Sequence, residues 1–567
     1  MVRLSLTNRH QLLSPTRRKG TINMTSNFRG TGRSGEYVGV REFLAGKNLF
    51  ITGCTGFVGK VLLEKILRSC PDVESVYVLG RAKKGQSLQQ RFSDIFNSAL
   101  FDSVRRDNPL AIEKVKFVEG DLQREGMGIS SGNIATLRDC INVVIHSAAS
   151  VRFDEPLRNA VNMNLYGAKR VLELCGSLSQ LEVLVHVSTC YANCDNETVE
   201  EKVYPQNYEP EQIMQIVEWL DDESLAAIQS KLLGSKPNTY TFTKSLAEVM
   251  IKNYQQAAMF RYEQALNDQR VESDAAGTGD FGDKAALKKP FAVAIVRPSI
   301  IVASLAEPVP GWVDNFNGPS GMIVAAACGF LRSVYSKKDL RTDFIPVDIV
   351  ANTILVAAWH CGVFQPENVM VYNCACGDRA PTFTWADFES SQSSLIEKVT
   401  FNNAVRYPKM SMRSSWLLHR ASMLFEHWVP AYLADKAFQI VGKKPQFLRL
   451  YEKLITMQDA LTFFTTHEWR FSTARVERLK LCLSESDRRE FNTDLDELRW
   501  DVYLQDYVRG LRDFVLKENH KQPSNWFQRL YLIEQVQKAA VTIALYKALG
   551  VGDLLASAYE TTLSGWI

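Results

Sequence analysis

Tyr240 and Lys244 stand four residues apart in the stretch NTYTFTKSLAE. On a helix that spacing puts both side chains on one face, one turn apart. An ammonium beside a phenol favours the phenolate, so the pair predicts a tyrosine of lowered pKa that passes a proton to a nascent alkoxide near neutral pH. Upstream, HVSTCYAN offers Ser188 and Thr189, either of which could hydrogen-bond a carbonyl oxygen as it gains negative charge. Tyr-x-x-x-Lys alone recurs by chance in many helices. Its weight here comes from order along the chain: a glycine-rich turn, then Ser188 and Thr189, then Tyr240 and Lys244, then Arg297, Pro298 and Ser299, which read as further cofactor contacts.

The glycine-rich turn is ITGCTGFVGK, residues 51 to 60, in which Gly53, Gly56 and Gly59 follow the apolar run KNLFITG and open the helical pattern KVLLEKILRSC. In that setting glycines permit a tight turn and close approach of backbone to a pyrophosphate, while the helix N-terminus adds N–H donors and positive dipole. The glycines, with Thr52, Thr55, Phe57 and Val58 beside them, therefore read as a dinucleotide site. An NAD site often has a carboxylate at the end of the next strand, where this chain has LGRAKKG. Arg81, with Lys83 or Lys84, can neutralise a 2′-phosphate instead, which points to NADPH. Asp121 and Leu122 in EGDL, the former facing the adenine amino group, and Ala148 and Ala149 in HSAAS add cofactor contacts. Lys244 can also hold the nicotinamide ribose. His146 and His186 end or interrupt apolar runs and read as packing residues.

These residues need a scaffold, and the surrounding pattern supplies one. From residue 47, short β-rich runs alternate with helical periods: KNLFITG, SVYVLGR, VKFVEGD, INVVIHSAA, LEVLVHVS and FAVAIVRPS. This predicts an α/β fold, a Rossmann-type doubly wound parallel sheet with helices on both faces and ligands at the carboxyl ends of its strands. At 567 residues the chain exceeds one usual core. It divides into a leader over 1–36, an NADPH-binding catalytic domain over 37–365, a connecting segment over 366–409 and a mainly helical C-terminal domain over 410–567. Between the fifth and sixth runs, EPEQIMQIVEWLDDESLAAIQS is helix-like, and NDQRVESDAAGTGDFGDKAALKK reads as a surface loop or disordered insertion.

A net charge of +3 makes no case for nucleic acid as a partner. The 11 cysteines sit mostly inside apolar runs, as reduced buried thiols do, and neither Cys190 with Cys194 nor Cys374 with Cys376 has companions at metal-ligand spacing, so no metal is expected. There is no run of 18 or more apolar residues to argue for a membrane-spanning helix. Ahead of Glu36, the first acidic residue, come Arg3, Arg9, Arg17, Arg18, Lys19, Arg29 and Arg33. That composition suits an organellar transit peptide or a disordered basic tail.

Taken in order, these motifs resemble the extended short-chain dehydrogenase/reductase superfamily. Within it, LLEKILRSCPDVESVYVLGRAKKGQS, IHSAASVRFDEPLRNAVNMNLYGAKRVLELC, VHVSTCYANC, YTFTKSLAE, IVRPSIIVASLAEPVPGWVDNFNGPSGMIVAAACGFLRS and DFIPVDIVANTIL are similar to eukaryotic fatty acyl-CoA reductases. HWVPAYLADKAFQIVGKKPQF, FFTTHEWRFSTARVERL and DLDELRWDVYLQDYVRGLRDFVL resemble that family's helical C-terminal domain, so the likeness runs from about residue 37 to 520.

The resemblance implies reduction of a long-chain acyl-CoA to a primary alcohol with two NADPH, through a bound aldehyde and with release of CoA. Tyr240 and Lys244 are then the catalytic pair, and Asn164 orients Lys244 through water. Cys54 stands where alanine is common, Gly80 where an aliphatic residue is usual, and the loop around 262–288 is long. GMIVAAACGFLRSVY and SSWLLHRASMLFEHWVPAYL are candidates for tunnel walls, membrane-surface contacts or plain core. Peripheral membrane association and homo-oligomerisation are further partner expectations. The leader places the protein in mitochondria or plastids if it is a transit peptide, and otherwise on the endoplasmic reticulum or peroxisome surface. Two other readings share the sheet: a nucleotide-sugar epimerase or dehydratase, and a catalytically silent binding protein.

Overall fold

The computed structural model describes residues 37–83, 85–275, 287–399, 401–402, 404–518, 526, 528–536 and 539. The leader lies outside them, as do Lys84 and residues 276–286 of the polar insertion. Six strands coincide with the six apolar runs: β1 (Asn48–Thr52), β2 (Ser75–Gly80), β3 (Val115–Glu119), β4 (Ile141–His146), β5 (Val183–Val187) and β6 (Ala292–Pro298). A seventh, β7 (Met370–Cys374), closes the edge. The order is β7-β6-β5-β4-β1-β2-β3, with every neighbouring pair parallel. The winding therefore reverses between β1 and β4, and the turns that follow them part to open a crevice.

Both faces of the sheet are covered, which is why the strands read as unbroken apolar runs. In β1, Leu49 and Ile51 enter one core with Val143, Ile145, Val183 and Val185. Phe50 enters the other with Val144 and Leu184. The first core is completed by α1 (Phe57–Ser69), and the second by α2 (Thr239–Ala275) through Phe242, Leu246 and Met250. A third helix, α3 (Val347–Phe364), is long and apolar enough to cross a membrane, but 83% of it is buried against the sheet and α1.

Three expectations need correction. The sequence pattern predicts only a connecting segment over 366–409, yet β7 lies there, paired with β6 from Met370 to Cys374. One short edge strand, even with the helix Trp385–Lys398 after it, carries too little pattern to announce a further α/β repeat. The stretch read as a loop or disordered insertion begins as helix, because α2 continues to Ala275. The C-terminal region is helical as expected, including α4 (Phe447–Thr466), but it is no separate body. Val476, Leu479, Phe491, Leu495 and Tyr503 belong to the core of α1 and α3. The Tyr503 hydroxyl donates to the Ala303 carbonyl, and the Tyr507 and Ser320 hydroxyls pair, each at 2.6 Å. Amphipathic period says which face of a helix is buried, and it is silent about what lies opposite.

Candidate active site

A cavity of about 1220 Å³ opens at the carboxyl ends of the strands, between the sheet and α4. Thr52, Gly53, Thr55, Gly56, Phe57, Val58 and Gly59 line one end of it. Gly53 has φ +87°, and a Cβ there would lie 2.8 Å from the Ala148 nitrogen; one on Gly59 would lie 2.2 Å from the Gly53 carbonyl oxygen. No other residue fits at either position without moving backbone. Gly56 is the N-cap of α1 and contributes no side chain, so the first N–H groups of the helix stay available to an anion. The Thr52 hydroxyl accepts from the Ala148 N–H at 3.2 Å and pairs with His146 Nδ1 at 2.8 Å, which ties the turn after β1 to the turn after β4.

At the same end Arg81 and Lys83 reach the cavity wall together with Arg91, a residue the sequence reading missed. Arg91 Nη1 donates to the Arg81 carbonyl at 2.5 Å. Partial burial and then the neighbouring Arg81 guanidinium push the Arg91 pKa down. Its signal in the sequence was only helical: four residues past the Ser87 cap that starts Leu88–Phe96, it points back toward LGRAKKG. Asp121 also lines the wall, but its carboxylate accepts from Arg81 at 2.5 Å and from the Gln123 N–H at 3.1 Å. Partial burial raises its pKa, and those two donors outweigh that and hold it below the usual range. Gly80 is explained by Leu88, whose Cδ1 would lie 2.5 Å from an added Cβ. Leu122, Ala148, Ala149, Pro298 and Ser299 also line the cavity.

Tyr240, Ser188 and Thr189 reach the opposite end of the same cavity. The two hydroxyls left open by the sequence part company here. Ser188 Oγ donates to Glu248 Oε1 at 2.6 Å, below the floor. Thr189 is the hydrogen-bond partner of the Tyr240 phenol, and its own hydroxyl leans on the Pro298 carbonyl at 3.3 Å. Burial raises the Tyr240 pKa to about 12, with Thr189 opposing. The expected lowering by Lys244 is corrected: the ammonium donates to the Val187 carbonyl at 2.8 Å rather than to the phenol. Burial lowers the Lys244 pKa to about 8, against the pull of Glu248.

Arg297 and Asn164 are placed away from the wall. Arg297, expected on the cofactor, is fully buried and spent on Glu248, with Nε–Oε1 at 2.8 Å and Nη2–Oε2 at 2.6 Å, and on the Lys202 carbonyl. Asn164, expected to orient Lys244, donates to the Ser150 carbonyl and to Thr243 Oγ1 at 3.2 and 3.0 Å and accepts from the Ser150 N–H. It clamps the turn after β4 to α2, one residue short of Lys244. His146 and His186 are buried ring neighbours, centroids 5.2 Å apart, and burial drives His146 down to about 3 and His186 well below its usual value.

The remaining wall comes from α4, another contribution the sequence reading missed. Arg449, Lys453, Met457, Ala460, Leu461 and Phe464 line the cavity at spacings of three and four, charged at the first turn and apolar toward Tyr240. Phe153 bridges the two, its ring 5.7 Å from Tyr240 and 5.1 Å from Phe464. Met322 and Phe316 face it from across. Of GMIVAAACGFLRSVY only Met322 reaches the cavity, and of SSWLLHRASMLFEHWVPAYL nothing does.

Profiles described as male sterility protein match residues 51–263 with 283–354, and residues 426–518. Fatty acyl-CoA reductase 1 of Homo sapiens is 38% identical over 481 residues, covering 85% of this chain and 87% of the relative. The chain belongs to the fatty acyl-CoA reductase family. The same reductase of Xenopus laevis is 38% identical over 479 residues, with 84% and 86% covered, and fatty acyl-CoA reductase 2 of Mus musculus is 36% identical over 480, with 85% and 87% covered. Among solved structures, the terminal R domain from the myxalamid PKS-NRPS pathway superposes with TM-score 0.52 at 16% identity, covering 82% of this chain and 90% of that one. The reductase domain of a nonribosomal peptide synthetase from Mycobacterium tuberculosis gives 0.53 at 15%, covering 82% and 91%. Those two likenesses speak for the fold of this fatty acyl-CoA reductase family member.

Proposed function

We propose that the protein reduces a long-chain fatty acyl-CoA to the primary alcohol, with NADPH as reductant and CoA as leaving group. The observation that carries this is the single cavity in which the glycine turn, the Thr189–Tyr240 hydroxyl pair and the apolar face of α4 meet. The turn suits a dinucleotide, since its tight path needs glycine: a Cβ at Gly53 or Gly59 would strike the backbone of Ala148 or of Gly53. The backbone around Gly53 and Gly56 and the start of α1 would hold the pyrophosphate. Arg81, Lys83 and Arg91 would take the 2′-phosphate, which favours NADPH over NADH. Bound there, NADPH supplies hydride, once to the thioester and once to the aldehyde.

The chain's own residues do the rest. Thr189 and Tyr240 donate hydrogen bonds to the carbonyl oxygen as it becomes an oxyanion. Collapse of the tetrahedral adduct breaks the carbon–sulfur bond, and the electron pair leaves on the CoA thiolate. The aldehyde stays between Met322 and the apolar turns of α4. In the second round Tyr240 gives its proton to the alkoxide, which becomes the alcohol. One acyl-CoA, two NADPH and two protons thus yield one alcohol, free CoA and two NADP+. Lys244 holds positive charge beneath the site, and the aromatic cover of Phe153, Tyr191 and Phe464 keeps water away.

The test is NADPH oxidation with palmitoyl-CoA, with the products extracted and separated. Hexadecanol is expected. Hexadecanal alone would limit the protein to one round, and turnover of a nucleotide sugar in place of any acyl-CoA would overturn the reading.

A further inference from the structure

One long face of the C-terminal helices is apolar and turned to solvent. The successive segments Trp416–Ser422, Met423–Trp428 and Val429–Ile440 bury Met423, His427 and Ala431 at helical spacing. A helix that rests on a core this way normally shows charge on its other side. Here Leu417 is 72% exposed, Phe425 64%, Leu433 60% and Ile440 86%, with Leu418 and Tyr432 between them. None of these lines the cavity. A contiguous apolar face of that length marks a place where something docks.

The charges say what. The acids of this run are occupied: Glu426 pairs with Arg413 at 3.8 Å, and Asp435 accepts from the N–H groups of Gln446, Phe447 and Leu448 at 2.8, 2.9 and 3.0 Å. The cations lie over rings, Arg420 above Trp416 at 5.2 Å, Lys436 above Tyr432 at 5.6 Å and Lys443 above Phe438 at 5.7 Å. Aliphatic side chains, aromatic rings and snorkelling cations on one side form the composition of an interfacial helix on anionic lipid. A protein partner fits less well, because lysine is depleted from interface cores. The face also ends where the cavity begins. Phe438 packs on Phe447 with centroids 5.2 Å apart, and within two turns of α4 Arg449 and Lys453 stand on the cavity wall.

We propose that this face docks on an anionic lipid bilayer and sets the cavity rim against the membrane, so that a long-chain acyl thioester passes from bilayer to active site. The passage rests on the substrate proposed above; the docking does not.

The full-length protein is sedimented with vesicles of phosphatidylcholine alone and with one fifth phosphatidylserine, beside the triple variant Leu417→Glu, Phe425→Glu, Leu433→Glu. The wild type is expected to bind the anionic vesicles at least about tenfold more tightly than the neutral ones. The triple variant is expected to lose at least about tenfold of that binding, melt like the wild type and keep its turnover of octanoyl-CoA without vesicles. Equal binding by the variant, or no binding by the wild type, overturns the docking. So does a wild-type dimer in light scattering that the variant turns into a monomer, since a second copy then covers the face. Loss of binding in the variant while the wild type reduces no acyl-CoA leaves the docking standing and removes the substrate reading.

Discussion

Ser188 donates its hydroxyl to the Glu248 carboxylate at 2.6 Å. The residue beside it donates its hydroxyl to the Pro298 carbonyl at 3.3 Å and lies against the Tyr240 phenol inside the cavity. Thr189→Val should therefore cut kcat by roughly 10²–10³ while leaving NADPH affinity unchanged, as expected for a donor that serves the developing oxyanion. Ser188→Ala should cost less in rate and about 1–2 kcal/mol in stability, because a buried carboxylate loses one of its donors. Steady-state kinetics and thermal melts of both variants decide it. Equal losses in kcat would put Ser188 back at the reacting carbonyl.

The pH profile reports on Lys244 and Glu248, one helical turn apart on α2. Burial sets Lys244 near 8, with the Glu248 charge holding it up against that burial. Tyr240, near 12, stays protonated throughout the neutral range. If the site needs the ammonium, kcat falls as pH rises through about 8. Glu248→Gln keeps one acceptor oxygen for Ser188 and Arg297 Nε but turns an amide donor toward Arg297 Nη2, and it removes the negative charge. The Lys244 pKa then drops further, and the alkaline limb should move to lower pH. A limb that stayed in place, in a variant that is less stable but still folded at the assay temperature, would separate Lys244 from the pH dependence of the rate.

The scaffold was legible wherever local pattern and buried contact agree. Six strands could be read because a sheet buried on both faces demands unbroken apolar runs. Gly53 and Gly59 could be read because only glycine survives the 2.8 and 2.2 Å approaches that their Cβ atoms would make. Arg297 misled for the converse reason. It stands in a motif at a strand end, yet its 0% exposed side chain points below the floor to Glu248, a residue 49 positions away that no spacing rule connects to it. Breaking such a buried pair is costly, about 3–5 kcal/mol, so stability alone can keep it in place. The α4 wall was hidden because its stripe, charged and then apolar, looks like any helix that packs on a core.

Cofactor choice is predicted to turn on Arg91, which lines the cavity with Arg81 and Lys83. Arg81 is already shared with Asp121 at 2.5 Å, whereas Arg91 gives one donor to a backbone carbonyl and keeps the rest of its fork free for an oxyanion. Arg91→Ala should raise the KM for NADPH by about 10–100-fold and leave that for NADH within about twofold, since only the phosphate contact is lost. The measurement is a pair of saturation curves at fixed acyl-CoA. A parallel rise for both cofactors would mean that Arg91 supports the turn after β2 and does not read the phosphate.

Chain-length preference should be set by α4. Met457 and Leu461 lie one turn apart on its cavity face, with Phe316 and Met322 on the wall across from them. Space taken there is space an alkyl chain would occupy, and each displaced methylene is worth about 1 kcal/mol or more. Leu461→Trp should therefore lower kcat/KM for palmitoyl-CoA by at least about tenfold and spare octanoyl-CoA, whose shorter chain never reaches the added ring. The variant keeps Thr189, Tyr240 and the glycine turn intact, so NADPH affinity serves as the control. A uniform loss across both substrates would instead show that the tryptophan had disturbed the Phe464–Phe153–Tyr240 stack, and the acyl chain would have to run elsewhere.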